Sequence, residues 1–130
     1  MSDLNPWAIL LAALSSFLLG GLWYGPLFKN LWCKAAGVDP DKPTGHPARV
    51  FGVAFLFSLI AAAGYAWFLG PQPDPTFSIG MGAFVGLAFV ATSFGINYQF
   101  AGRPFLLWVI DGGYHVLQFA LYGLVLGLWH

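Results

Sequence analysis

Hydrophobic residues run almost without interruption through four stretches of the chain, at residues 5–24, 48–69, 76–100 and 104–129. Polar and charged residues concentrate between these stretches. At a rise of about 1.5 Å per residue, twenty helical residues cover a bilayer hydrocarbon core of about 30 Å. The pattern therefore predicts four transmembrane helices in one membrane domain, residues 1–130.

The segment 26–47, between the first two stretches, has a different pattern. If LFKNLWCKAAG is helical, its polar side chains Lys29, Asn30 and Lys34 lie largely on one face. The opposite face carries Leu27, Phe28, Leu31, Trp32 and Ala35. The following VDPDKPTGHP is too polar and proline-rich for hydrocarbon. We expect a short interfacial helix that Gly37 ends, followed by a solvated loop.

Start and turn signals complete the predicted architecture. Asn5 suits the N-cap of the first helix and Pro6 its first turn. Only residues 101–103 separate the last two stretches, which predicts a tight antiparallel hairpin. The predicted fold class is all-α, an integral membrane four-helix bundle with a short interfacial helix after the first span.

Composition supports lipid as the solvent. The chain is 58% hydrophobic and only 8% charged, whereas soluble domains carry about 25% charged residues. The zero net charge gives no reason to expect nucleic-acid binding. Cys33 is the only cysteine, which excludes an internal disulfide and a cysteine-cluster metal site. The N-terminus lacks the basic region and cleavage site of a signal peptide, so we expect the first span to be retained.

The basic residues predict an orientation. All of them fall in the first and third connections or at the interfacial edge of a span: Lys29, Lys34, Lys42, Arg49 and Arg103. The positive-inside rule places these connections in the cytoplasm and both termini on the non-cytoplasmic side.

Glycine pairs with the G-x-x-x-G spacing occur in three spans: Gly21 and Gly25, Gly82 and Gly86, Gly123 and Gly127. Such pairs let helix backbones approach closely, within one chain or between subunits. The chain has 17 glycines, so chance also produces some pairs. Close packing is the interpretation we adopt.

A polar stripe on the fourth span is the most informative feature for function. Its members recur at spacings of three and four and share one helix face: Asp111, Tyr114, His115, Gln118 and Tyr122. A carboxylate well inside the membrane costs at least about 2.5 kcal/mol. Asp111 should therefore face the bundle and be paired or protonated, with His115 one turn on as its obvious partner.

Residues of the third span are expected to join this stripe. Asn97 lies six residues before Arg103 and Asp111 eight after it, so Asn97 and Asp111 reach similar depth. Thr92, Ser93 and Tyr98 extend the same cluster. Arg103 can extend its side chain along the helix towards Asp111.

Three interpretations of this polar cluster stay open. It is a site for a proton, ion or small polar ligand, since ionisable membrane residues often mark pathways. Alternatively, it is a hydrogen-bond clamp between helices. In a third interpretation His115 ligates haem or a pigment, with Gly112 leaving room for a macrocycle. Otherwise no cofactor is predicted, and His46 and His130 form no metal cluster with His115.

Two segments resemble a known family. They are NPWAILLAALSSFLLGGLWYGPLFKNLWCKAAG, with its GxLWYGPLF turn and W-x-K-x-x-G ending, and WVIDGGYHVLQFALYGLVLGLW in the fourth span. They are similar to the bacterial membrane-protein family catalogued as domain of unknown function 1761. The resemblance implies a small multi-pass inner-membrane protein without an assigned activity, and it transfers no functional residues.

These observations lead to ranked expectations. The chain carries no familiar catalytic motif, so we do not expect an enzyme. We expect a structural or accessory subunit, as a homo-oligomer or with other membrane subunits and lipids as partners. The alternatives are a small transporter or channel for a proton, ion or polar solute, and a lipid- or pigment-binding protein.

Overall fold

A computed structural model of the chain describes residues 4–39, 41 and 46–130. Within these residues, four helices are long and apolar enough to cross a membrane: Pro6–Leu27, Pro47–Leu69, Pro75–Ala101 and Phe105–Leu128. The predicted all-α fold class is confirmed. Lys42 and part of the predicted loop lie outside the described residues.

The first span begins as the sequence predicts. Helix α1 is Pro6–Leu22. The Asn5 side chain caps it by accepting from the backbone N–H of Trp7 at 3.0 Å and of Ala8 at 3.3 Å. Pro6 occupies the first turn, where its missing N–H costs no hydrogen bond.

The first span ends in a π-helical turn, Trp23–Leu27. Gly25 leaves helical geometry there (φ −98°, ψ −105°), and Pro26 has no N–H to continue the helical ladder. The chain therefore bends into helix α2, Lys29–Ala36. Gly37 ends α2 at φ 72°, the left-handed conformation that glycine adopts without strain.

Helix α2 has two apolar sides. Cys33 and Ala36 are buried against the protein. On the other side, Leu31 of α2 and Leu27 of the preceding turn are about half exposed (48% and 55%), so lipid can cover them. The helix can thus lie between the bundle and the bilayer surface.

The other three spans pack around the last one. The second span is α3, Pro47–Leu69. The third consists of α4 (Pro75–Val85), a π-helical turn (Gly86–Ala91) and α5 (Thr92–Ala101). The fourth is α6, Phe105–Leu128. Helix α6 contacts every other helix and is the centre of the bundle, while α3 packs chiefly against α1.

Glycines bring α4 and α6 into backbone contact. A Cβ added at Gly82 would overlap the Phe119 carbonyl, and one at Gly123 would overlap the Ser78 carbonyl. No larger residue fits at either position unless the helices move apart. Gly21 of the first span differs, because an added Cβ there has no neighbour within 4 Å.

Side chains satisfy the carbonyl groups around the π-helical turn of the third span. Thr92 Oγ1 donates to Ala88 O at 2.7 Å, and Ser93 Oγ donates to Phe89 O at 2.5 Å. Trp108 Nε1 donates to Ala91 O at 2.7 Å. The expectation that Thr92 and Ser93 extend the polar cluster is therefore wrong, since their hydroxyls bond the backbone of their own span.

The connections between the spans lie at two opposite ends of the bundle. Arg103 Nη2 donates to Ala36 O at 2.8 Å, so the third connection lies beside the end of α2 in the first. At the opposite end, Asn5, Gly70 and His130 line one small cleft. The basic connections thus share one end, and the other holds both ends of the described chain.

Candidate functional site: two polar clusters on the central helix

The first cluster surrounds the Asp111 carboxylate, which is only 7% exposed. Oδ1 accepts from the Tyr24 hydroxyl at 2.6 Å and from Trp32 Nε1 at 3.0 Å. Oδ2 accepts from the Tyr98 hydroxyl at 2.5 Å. All three partners carry an O–H or N–H group that can donate to a carboxyl oxygen.

The three donors come from three different segments. Tyr24 lies in the first π-helical turn, Trp32 in α2 and Tyr98 in α5. The neighbouring Trp23 fixes the turn by donating from Nε1 to Ile110 O at 2.9 Å, one residue before Asp111. The carboxylate therefore ties the end of the first span, the interfacial helix and the third span to α6.

Aromatic rings form a connected series beside this carboxylate. The ring-centroid distances are 5.9 Å for Tyr24–Trp32, 5.5 Å for Tyr24–Tyr114, 5.0 Å for Tyr114–His115, 4.8 Å for Phe94–His115 and 5.7 Å for Phe94–Tyr98. These separations are typical of stabilising aromatic pairs. The rings shield the carboxyl group and hold its tyrosine donors in place.

The second cluster is a chain of hydrogen bonds deeper along α6. His115 Nδ1 bonds Gln118 Oε1. Gln118 Nε2 donates to the Tyr122 hydroxyl at 2.6 Å, which lies 2.7 Å from Ser58 Oγ. Ser58 Oγ lies 2.9 Å from Ser16 Oγ. The chain links α6 to α3 and α1.

A single direction of hydrogen-bond donation gives every side chain in this second cluster a partner. Because Gln118 uses its NH₂ group on Tyr122, its oxygen is the acceptor and His115 Nδ1 carries the proton. Donation then passes from Tyr122 to Ser58 to Ser16, and Ser16 Oγ donates to Ala13 O at 3.0 Å. Tyr122 and Ser16 are both fully buried, so these bonds replace hydration.

The stripe predicted on the fourth span thus faces inward but divides in two. Asp111 belongs to the first cluster, and His115, Gln118 and Tyr122 form the second. Tyr114 donates from its hydroxyl to the Ser16 backbone carbonyl at 3.0 Å, so it lies between them.

Three sequence-based expectations about Asp111 are wrong. His115 is not its hydrogen-bonding partner, because Gln118 holds the His115 ring and three other donors fill the carboxylate. Asn97 is exposed and does not reach the cluster. Arg103 extends to the Ala36 carbonyl instead. Helical spacing alone does not decide between partners on one helix and partners on its neighbours.

Four residues of the clusters were missed: Tyr24, Trp32, Ser16 and Ser58. Tyr24 belongs to the GxLWYGPLF segment, whose density of aromatic and turn residues is the one signal that singles it out. Single serines within spans carry no such signal, since they commonly bond their own backbone.

The other histidines lie away from the clusters. His46 Nδ1 accepts from the Ala48 N–H at 3.2 Å and caps α3. His130 Nδ1 lies 3.3 Å from Leu126 O. Among residues 4–39, 41 and 46–130, no three His, Cys, Asp or Glu side chains converge as metal ligands.

Comparison with known proteins identifies a family. The model of the family described as "Protein of unknown function (DUF1761)" matches residues 7–127, nearly the whole chain. No curated protein and no solved structure matches the chain.

Proposed function

The chain belongs to the DUF1761 family of proteins of unknown function, and we propose that it is a structural or accessory subunit of a membrane assembly. The assembly is a homo-oligomer or a larger membrane complex. One observation carries the proposal: Asp111 is bound by donors from three segments of its own chain. This arrangement favours a clamp that gives the subunit its shape over a group exposed to a transported ligand.

The surface of α3 supports an assembly. This helix packs chiefly against α1 and leaves large apolar side chains uncovered. Phe51, Phe57, Ile60 and Trp67 are 59%, 65%, 59% and 65% exposed. Lipid or a second subunit must cover such a surface.

We further propose the bacterial cytoplasmic membrane as the location, with both termini on its non-cytoplasmic side. The basic side chains that support this orientation lie at one end of the bundle. They are Lys29, Lys34, Arg49 and Arg103 in the described part of the chain.

Native mass spectrometry of protein extracted gently from its own membrane tests the assembly. We expect a species heavier than one chain of 14.1 kDa. A monomer in every mild detergent would contradict the proposal. A retained pigment whose absorbance His115→Ala removes would instead support the axial-ligand alternative.

Site-specific photocrosslinking locates the contact. A photoreactive phenylalanine at Phe57 on α3 should form crosslinked protein adducts in membranes. The matched control is Phe89, which is 62% exposed on the third span. Equal crosslinking at both positions would mean that α3 is not the preferred contact.

A second candidate function is a path for a proton, ion or small polar solute. The hydrogen-bond chain from His115 to Ser16 favours it, because proton relays use connected side chains inside a bundle. In liposomes containing a pH-sensitive dye, this candidate requires flux that Tyr122→Phe abolishes. Tyr114→Phe is the control, since the Tyr114 hydroxyl bonds the backbone carbonyl of Ser16 and no side chain among the described residues.

A further inference from the structure

A groove of about 350 Å³ lies on the outer side of α5 and the beginning of α6. Its walls include the apolar side chains of Ile96, Phe105 and Trp108. Its polar end is formed by Gln99 and Arg103, where the third span turns into the fourth. The groove thus has a positive charge at the membrane surface and apolar walls nearer the bilayer centre. A phospholipid has the same arrangement, with its headgroup at the surface and its acyl chains below.

The floor of the groove is held in a defined shape. The Trp108 indole donates to Ala91 O, which fixes the ring against the third span. Gly95 lets that ring lie close against the third span, since an added Cβ would lie 3.0 Å from Trp108 Nε1. The π-helical turn and the glycine together produce the groove.

Arg103 supplies the charge complementarity. The residue is exposed, and its hydrogen bond to Ala36 O uses one of five N–H donors of the guanidinium group. This bond also anchors the side chain beside α2. Ala36 is the one hydrogen-bond partner of this guanidinium among the described residues. The planar array of N–H donors on a guanidinium is suited to hold a phosphate through two hydrogen bonds.

We propose that this groove binds one anionic glycerophospholipid of the surrounding leaflet. The lipid phosphate binds Arg103, and an acyl chain lies along Ile96 and Phe105. The groove residues Arg103 and Thr92 are eleven positions apart, which is about 16 Å along a helix and enough for much of an acyl chain. The groove borders the first cluster at Tyr98, which lines it and donates to Asp111. Lipid binding here requires only that the chain lies in a membrane.

The proposed binding of the lipid headgroup by Arg103 is tested with phosphatidylglycerol and phosphatidylcholine that have identical acyl chains. Native mass spectrometry of the full chain, offered equal amounts of both lipids, should show preferential retention of one phosphatidylglycerol. Arg103→Gln should weaken that retention about fivefold, as expected for one basic residue at a membrane surface. Arg49→Gln removes an equal charge from the same end of the bundle and should leave retention unchanged.

The acyl-chain part is tested by filling the groove. Ile96→Trp places an indole in the groove and should reduce retention of phosphatidylglycerol as much as Arg103→Gln does. Ile60→Trp is the matched control, because Ile60 on α3 is 59% exposed and Ile96 is 60% exposed. Neither substitution touches a buried side chain, so both variants should fold.

Three results would overturn the proposal. Equal loss with Arg49→Gln and Arg103→Gln would reduce the preference to general attraction by surface charge. Unchanged retention in Ile96→Trp would show that the lipid lies elsewhere. Displacement of phosphatidylglycerol by millimolar inorganic phosphate would show that the acyl chain contributes no affinity.

Discussion

At the scale of single residues, Asp111 places a carboxyl group inside the bundle, and its hydrogen-bond partners in the described part of the chain are all neutral. Tyr24, Trp32 and Tyr98 donate to it, and their rings bring apolar surface rather than a second charge. Hydrogen bonds inside membrane proteins contribute about 0.6 kcal/mol each on average. Three of them offset much of the insertion cost of the carboxyl group.

Replacing Asp111 should destabilise the fold, because Tyr24, Trp32 and Tyr98 lose their shared acceptor while the helices stay in the membrane. We expect Asp111→Ala to lower the free energy of unfolding by about 2 kcal/mol, the sum of three average bonds. Asp111→Asn should cost about half as much, because the amide keeps one acceptor oxygen but points an NH₂ group at a donor. Unfolding by sodium dodecyl sulfate in mixed micelles, followed by circular dichroism, measures both changes.

Asp74 provides the control for this prediction. Its carboxylate caps α4 by accepting from the Phe77 N–H at 2.9 Å. Asparagine caps helices equally well, so Asp74→Asn should leave stability unchanged. If Asp111→Asn were as mild as Asp74→Asn, the carboxylate would not be the clamp that the geometry indicates.

At the scale of elements, α2 is held to the bundle by a small number of contacts. Trp32 bonds Asp111, and the Ala36 carbonyl accepts from Arg103. The same helix carries Cys33, which is buried and the only cysteine of the chain. Cys33 is therefore a natural reporter for the docking of α2.

Loss of the Trp32 bond should expose this cysteine. We expect Trp32→Phe to speed maleimide labelling of Cys33 at least severalfold, because the ring is kept while its bond to Asp111 is lost. Trp67→Phe on α3 is the control, since Trp67 is 65% exposed and remote in sequence from α2. Equal labelling rates would mean that the indole bond does not hold α2.

The contact between α4 and α6 is a second property of elements. Gly123 lies against the Ser78 carbonyl, and Gly127 lies against Pro75. At these points the separation of the helices is set by backbone contact, so even a methyl group forces them apart.

Gly123→Ala should destabilise the protein by about 1–3 kcal/mol, the usual cost of overpacking. Gly21→Ala should be neutral or stabilise by up to about 1 kcal/mol, because it meets no neighbour and alanine favours helix. Unfolding of the two variants in detergent measures the change in the free energy of unfolding that each substitution causes. Similar stabilities would show that the α4–α6 contact tolerates separation.

At the scale of the whole molecule, the distribution of charge and the course of the chain distinguish the same two ends of the bundle. Arg103 in the third connection reaches α2 in the first, so the basic residues of the described chain share one end. The opposite end contains the turn between α3 and α4, with exposed Gln72. This asymmetry supports the proposed orientation, with the basic end of the bundle in the cytoplasm.

Cysteine labelling in intact cells tests that orientation. In a Cys33→Ser background, Gln72→Cys should react with a membrane-impermeant maleimide before permeabilisation. Asp41→Cys, exposed in the first connection, should react only afterwards. The reverse pattern would place both termini in the cytoplasm and contradict the positive-inside assignment.

The amino-acid sequence by itself determined the fold class and the inward polar face of α6. Long apolar runs leave helices as the structures that satisfy the backbone in lipid, and a polar stripe of period 3.6 has to avoid lipid. The start at Asn5 and the end of α2 at Gly37 follow from local capping chemistry. These features depend on residues that are near one another in the chain.

The tertiary structure alone decided the partners. Asp111 bonds residues 79 and 87 positions earlier rather than His115 on its own helix. Ser16 and Ser58 join Tyr122 although nothing local distinguishes them. Long-range partners depend on how the helices rotate and bend, and here two π-helical turns and the backbone contact between α4 and α6 set those rotations.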